Sequence, residues 1–308
     1  MPVEASGEQV VLASGDLRMT VVTAGGGIRE LTRGDWTVLQ GYGIDELPPG
    51  GSGQPLIPWP NRIADGRYQF RGERHQLPIT EPDKGNALHG FARWMTWRVE
   101  RASGANAVLS LLMYPRSGYP FALHVKVEYT LHPTGVDVVT TAVNAGRAAL
   151  PYACGFHPYL CAGSASIDSD VLEVGAETWL PTDARQIPTG RENVEGTPYD
   201  FRARRVIGSL ALDTAYTNLE RDSSGKARVK LSDAGDSRSV SVWMDRSYQY
   251  VMVYTGDKLD LDRRRKGLAV EPMTAAPNAF RSGDGLRVLE PGESFACAWG
   301  IDIAQRQS

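Results

Sequence analysis

Apolar and polar residues change places at every position of Val125-Lys126-Val127-Glu128-Tyr129-Thr130-Leu131. A period of two turns one face of an extended strand toward a core and the other toward water. Alternating or β-branched runs recur at residues 17–23, 67–70, 107–113, 136–143, 228–231, 240–244, 250–254 and 295–303. Turn formers separate them: Pro133-Thr134-Gly135, Asn144-Ala145-Gly146, Ser224-Gly225, Asp257 and Pro291-Gly292. No long segment carries a 3.6-residue period. The 33 Gly and 19 Pro of 308 residues exceed an average share of about 12%, which leaves little room for long helices. The pattern predicts an all-β fold, a large antiparallel sandwich. No linker or repeat divides residues 1–308, so one domain is expected. The longest irregular stretches, 41–60 and 180–205, are expected to carry function, as long loops inside a domain commonly do.

Lys plus Arg number 33 against 36 Asp plus Glu, a net charge of −3. That balance gives no electrostatic case for nucleic acid or an anionic membrane. No apolar stretch reaches the roughly 18 residues of a spanning helix. Met1-Pro2-Val3-Glu4 lacks the basic and apolar segments of a secretory leader. Cys154, Cys161 and Cys297 have no CxxC spacing and fit free thiols in a reducing, cytoplasmic setting.

Several short stretches look chemical. In Ile57-Pro58-Trp59-Pro60-Asn61-Arg62-Ile63, prolines stiffen the approach to a strand expected to begin at Arg67. Trp59 offers a flat apolar face, and Asn61 and Arg62 offer planar hydrogen bonding. A sugar, with hydroxyl edges and C–H faces, suits that mixture; a rigid loop capped by an ion pair suits it too. His89, in Asn86-Ala87-Leu88-His89-Gly90, fits a hydrogen-bonded core residue when read alone. Pro158 holds His157 extended on an irregular turn in Cys154-Gly155-Phe156-His157-Pro158-Tyr159. His75, His124 and His132 lie in polar or alternating contexts and read as surface residues. Glu271 ends an apolar run before Pro272, and a carboxylate there needs partners or a shifted pKa. Asp213 follows Leu212 in a loop-like context and signals nothing alone. His89, His157 and Glu271 match no local metal-ligand spacing, so no metal is expected. GxGxxG after a strand, GxxxxGK[ST] and GxSxG are absent from the sequence.

Taken in order, these stretches resemble one family. Pro60-Asn61-Arg62-Ile63…Gly66, Asn86-Ala87-Leu88-His89-Gly90, His157-Pro158-Tyr159, Leu212-Asp213, Val270-Glu271-Pro272…Pro277-Asn278-Ala279 and Leu289-Glu290-Pro291-Gly292-Glu293 are similar to the landmarks of aldose 1-epimerases, the galactose mutarotase-like proteins. The likeness covers roughly residues 50–300. Residues 59–66 and 270–279 look nearest to a bacterial branch that includes sulfoquinovose mutarotases. The resemblance implies a β-sandwich with a sugar in an open cleft across one sheet. It also implies His157 as general acid, Glu271 as general base, and Arg62, His89 and Asp213 as sugar-binding residues. Met273 stands where the family often has Gln, and Leu160-Cys161 where it commonly has Asn-Leu, so hydroxyl recognition is expected to differ from a galactose enzyme. Interconverting anomers needs one acid and one base and no cofactor. The expected partner is a small sugar, on a monomer or homodimer. Two other classes remain open at this point. A carbohydrate-binding sandwich needs no buried Glu with a His, and a glycosidase would pair Asp213 with Glu271. Arg62, Arg67, Arg71 and Arg263-Arg264-Arg265-Lys266 leave open a phosphorylated or sulfonated sugar, although a solvated basic run explains the last four.

Overall fold

The alternation that defines residues 125–131 extends over the whole strand Leu123–His132, where Leu123, Val125, Val127, Tyr129 and Leu131 are all buried. The computed structural model describes residues 3–306. Among these, strands gather into two large antiparallel sheets of twelve and nine strands. The nine-stranded sheet runs Arg98–Ser103, Asn106–Met113, Leu123–His132, Gly135–Asn144, Ser294–Gln305, Arg238–Met244, Ala227–Ser232, Val171–Val174, Arg205–Val206. The main path of the other runs Gln9–Ser14, Leu17–Val22, Ile28–Arg33, Trp36–Leu39, Tyr159–Leu160, Leu268–Met273, Tyr250–Tyr254, Asp213–Leu219, Ala176–Leu180, Glu192–Asn193. Gly155–Phe156 pairs with both Leu268–Met273 and Pro55–Leu56.

The inner faces of both sheets share one apolar cluster. Leu12, Met19, Val253 and Val270 come from one sheet, and Leu109, Val127, Val138 and Ile301 from the other. Phe156 meets Trp299 across the layer with ring centroids 4.9 Å apart. The Tyr129 hydroxyl donates to Gly26 O at 2.6 Å, so its polar end is also satisfied. Each buried Val or Leu is worth about 1.5–3 kcal/mol relative to exposure. The only α-helix among the described residues is Ala279–Ser282, and no helix is long and apolar enough to cross a membrane. The cysteines are free thiols; Cys154 and Cys297 are buried with sulfurs 3.4 Å apart.

Two local expectations change. Arg62 already lies in a strand, Arg62–Ala64, which pairs with Asn86–Leu88 in the register Arg62↔Leu88, Ile63↔Ala87, Ala64↔Asn86. Three residues are too few for a period to register. Asp213 is not in a loop but opens the strand Asp213–Leu219. Its neighbour Leu212 is tied down by Thr255, whose Oγ1 accepts from the Leu212 N–H at 2.9 Å.

Candidate active site

Glu271 lies in mid-sheet. Along Leu268–Met273, Leu268 and Val270 join the main core, so alternation turns Ala269, Glu271 and Met273 to the opposite face. Cross-strand partners share a face. Asp213 pairs with Tyr254, Tyr254 with Ala269, and Ala269 with Tyr159. One row of the sheet thus carries Asp213, Tyr254 and Tyr159 beside Glu271, and all four line a cleft of about 800 Å³. That volume falls within the ~300–1,000 Å³ usual for ligand sites.

His157 sits in the break between Gly155–Phe156 and Tyr159–Leu160. Its N–H donates to Gln54 O at 3.1 Å, and its carbonyl accepts from the Gly53 N–H at 2.8 Å. Gly53 has φ +69°, and a Cβ there would fall 1.8 Å from Ile28 O, so only glycine fits. The His157 ring stacks on Tyr159 at 4.9 Å and meets the edge of His89 at 5.3 Å. Its Nε2 is 3.2 Å from Glu271 Oε1. His157 and Glu271 are only 4% and 2% exposed.

Burial drives both groups toward their neutral forms. It pushes His157 down to about 3, with the Arg93 and Arg62 charges adding to the fall. It holds the Glu271 carboxyl well above the usual carboxylate range; Asp213 adds to the rise and Arg62 opposes it. In these neutral forms the pair holds one proton, on Glu271, whose Oε1 lies 3.2 Å from His157 Nε2. His157 Nδ1 and Glu271 Oε2 have no hydrogen-bond partner. In a buried pair such atoms ask for a ligand.

His89 forms the wall. His89 and Asn61 both have left-handed backbones, φ 61° and 53°. The His89 N–H donates to Asn61 O at 2.9 Å, and the Asn61 N–H donates to His89 Nδ1 at 3.2 Å. With Nδ1 accepting, the neutral ring carries its proton on Nε2 and is a hydrogen-bond donor there. Burial also pushes His89 well below its ordinary value, aided by His157, Arg93 and Arg62. Asn61 is chiefly a brace, its Oδ1 accepting from the Arg62 N–H at 2.9 Å. Arg62 binds Glu81 through Nε and Nη2, both at 2.9 Å, and its Nη1 lies 3.9 Å from Asp213 Oδ1.

The donor atoms of His89, His157 and Glu271 lie within 4.8 Å of one another. A Nε2–H tautomer leaves His89 no lone pair facing that group, so the trio does not fit a metal ion.

The structure therefore brings His157, Glu271, Arg62, His89, Asp213 and Asn61 to one cleft. Trp59 does not belong with them. It is 3% exposed and packs in the core against Phe91 and Phe280, at 5.0 and 5.6 Å. An aromatic at a loop mouth reads as a sugar platform in sequence, but the stiff turn folds it inward. His75 is likewise no free surface residue, since it is half-buried and stacks on Tyr68 at 4.8 Å. His124 and His132 are half-buried as well. Arg67 and Arg71 lie outside the cleft lining. Arg263 lines the cleft but is held by Gly41 O and Glu46 at 2.8 and 2.7 Å. Met273, in the place of the family's Gln, packs with Tyr250 and Met252. Sequence reasoning missed Glu81, Lys84, Tyr254 and Lys258, which also line the cleft. Glu81 shares one signal with Glu271: an acid directly before a proline.

A buried His–Glu pair, flanked by hydrogen-bond donors in an open cleft on a large antiparallel sheet, agrees with what comparison finds. The family model for aldose 1-epimerase matches residues 8–298, and the chain belongs to that family. The uncharacterized protein YihR of Escherichia coli K12 is 35% identical over 96% of this chain and 93% of its own length. Human galactose mutarotase is 28% identical over 69% of this chain and 64% of its own. In fold, the GalM/aldose epimerase homologue from C. elegans aligns with TM-score 0.87 at 19% identity, covering 97% of this chain and 99% of that one.

Proposed function

We propose that the chain is an aldose 1-epimerase that interconverts the α and β anomers of a hexose, with His157 as general acid and Glu271 as general base. The observation that carries this reading is the 3.2 Å contact between two buried titratable groups at the cleft floor. In ring opening, His157 gives its proton to the ring oxygen as the C1–O5 bond breaks. Glu271 takes the proton of the anomeric hydroxyl as C1=O forms. The proton first crosses the 3.2 Å contact from Glu271 to His157, and ring opening then takes the pair from imidazolium–carboxylate back to imidazole–carboxylic acid, still holding one proton. The aldehyde turns about C1–C2, and closure on the other face runs the transfers backward. Each proton transfer is worth about 10²–10⁴ in rate. The His89 Nε2–H, Arg62 Nη1 and Asp213 are placed to hold hydroxyls. No redox or group transfer occurs, so no cofactor is required.

A glycosidase built on Asp213 and Glu271 would leave the His157 contact without work. A binding module would gain nothing from burying a titratable pair, which costs stability. The cleft also holds Lys84 and Lys258, so the sugar's charge belongs in the test. Exchange between anomers is measured by NMR saturation transfer for glucose, galactose and 6-phospho- and 6-sulfo-hexoses, with the spontaneous rate subtracted. Reducing-end release is followed in parallel. Catalysed exchange of at least one sugar without glycoside cleavage is expected. Binding without exchange of any sugar refutes the reading in favour of a binding module.

A further inference from the structure

A guanidinium has two usable edges, and what it recognises depends on which one is left free. The Glu81 carboxylate takes the Nε/Nη2 edge of Arg62 with two bonds of 2.9 Å. Nη1 then lies 3.9 Å from Asp213 Oδ1, too far for a hydrogen bond, and neither group closes on the other. Glu81 itself is set from two sides. Its backbone exchanges hydrogen bonds with Asn86, N–H to O at 3.0 Å and O from N–H at 3.1 Å. Its Oε2 accepts from Asn86 Nδ2 at 2.9 Å. The Asn86 amide is oriented in turn by Arg185: Nδ2 donates to Arg185 O at 3.0 Å, and Oδ1 accepts from Arg185 Nη2 at 3.3 Å. Asn86 opens the strand Asn86–Leu88 that pairs with Arg62–Ala64. The frame that aims Glu81 is therefore continuous with the backbone that carries Arg62.

We propose that Glu81 is a positioning residue for sugar recognition: it holds the Arg62 guanidinium off Asp213, whose Oδ2 accepts from Gln186, so that Arg62 Nη1 and Asp213 Oδ1 stay open together to one pair of sugar hydroxyls. Without Glu81, Arg62 has a carboxylate 3.9 Å away and closes on it. One closure silences two sugar ligands. The inference rests on the mutarotase reading of the cleft, and it concerns binding rather than proton transfer.

The test is a cycle of Glu81→Gln, Arg62→Ala and the double variant, with KM and kcat measured separately and sugar affinity followed by ligand-observed NMR. Losing the charged hydrogen bonds of both ligands to hydroxyls is expected to raise KM at least about 10-fold in Glu81→Gln, with kcat largely kept because His157 and Glu271 are untouched. In the Arg62→Ala background, Glu81→Gln should add nothing. An unchanged KM, a fall confined to kcat, or effects that multiply in the double variant overturn the proposal. A merely structural role for Glu81 predicts the last two. Should Glu81→Gln fail to fold, Glu81→Asp keeps the charge but shortens the reach; it must raise KM too, and a normal KM there is equally fatal. If the unmodified protein turns over no sugar yet binds one, the NMR affinities decide the proposal alone while the mutarotase reading falls. Neither binding nor turnover of any hexose overturns both.

Discussion

Glu271→Gln should abolish most of the activity and at the same time make the protein more stable at neutral and alkaline pH. The sign follows from proton counting. In the unfolded chain Glu titrates near about 4.3 and His near about 6.5. In the folded chain burial holds the Glu271 carboxyl well above its ordinary range, and His157 is pushed down to about 3. Between about pH 4.3 and 6.5, the folded pair and its unfolded counterparts each hold one proton, and the pair's contribution is level. Above about 6.5 the unfolded groups hold none while the folded pair keeps one, so stability falls as pH rises by about 1.4 kcal/mol per unit. Below about 6.5, the depressed His157 by itself loses stability as pH falls. The Gln variant keeps only that second behaviour, so its curve is level above about pH 6.5. Subtracting one curve from the other cancels every other titrating group and leaves the Glu271 contribution. The variant should therefore gain on the parent by about 1.4 kcal/mol per pH unit from about pH 4.3 upward, for as long as the pair keeps its proton. The widening gap between the two curves is read by urea unfolding at three pH values above about 4.3. Mutarotation by the same variant should be down roughly 10²-fold or more. Parallel stability curves would mean that Glu271 ionises in the folded protein as it does in water, and the argument would fail.

The same proton count makes catalysis bell-shaped in pH. The rate declines in acid as the pair takes a second proton and in alkali as it loses its last, and Glu271→Gln should erase the alkaline limb of what activity remains. Trp59→Ala should cost about 3–5 kcal/mol of stability, the range for emptying an aromatic core site, with KM unchanged; a raised KM with normal stability would restore the sugar-platform reading. Chelator or added divalent ions should leave the rate constant unchanged, because His89 presents N–H rather than a lone pair; loss of activity in EDTA, recovered by Zn²⁺, contradicts that tautomer.

The strands legible in advance were those whose two faces differ. Leu123–His132 alternates without fault because one face is core and the other is wet. Ile28–Arg33 escaped because only its first and fourth residues are fully buried, and a period of two never forms. Leu268–Met273 is buried on both faces, so all six residues read as one apolar run with an acid near its end. The acid was visible as an anomaly, but nothing local says that a histidine over a hundred residues away lies 3.2 Å from it. That link came from the ordered likeness to a family. Trp59 shows the limit of residue-type reasoning: chemistry suggests what a side chain can do, while the fold decides whether a ligand ever reaches it. Glu81 carries little sign of its task because its partners, Arg62 and Asn86, are brought to it by strand pairing.

The cleft is made in two different ways. Glu271, Tyr254 and Asp213 stand on long paired strands, and His157 is pinned by two backbone hydrogen bonds. Around them, Glu81, Lys84, Arg185 and Gln186 come from turns between strands, and Gln186 bridges Lys84 to Asp213. On the proposed reading, substitutions at residues 80–85 or 183–187 are expected to alter sugar recognition while His157 and Glu271 keep their places. Under that reading, change of sugar and change of reaction are separable: the first falls to the turns, the second to the paired strands.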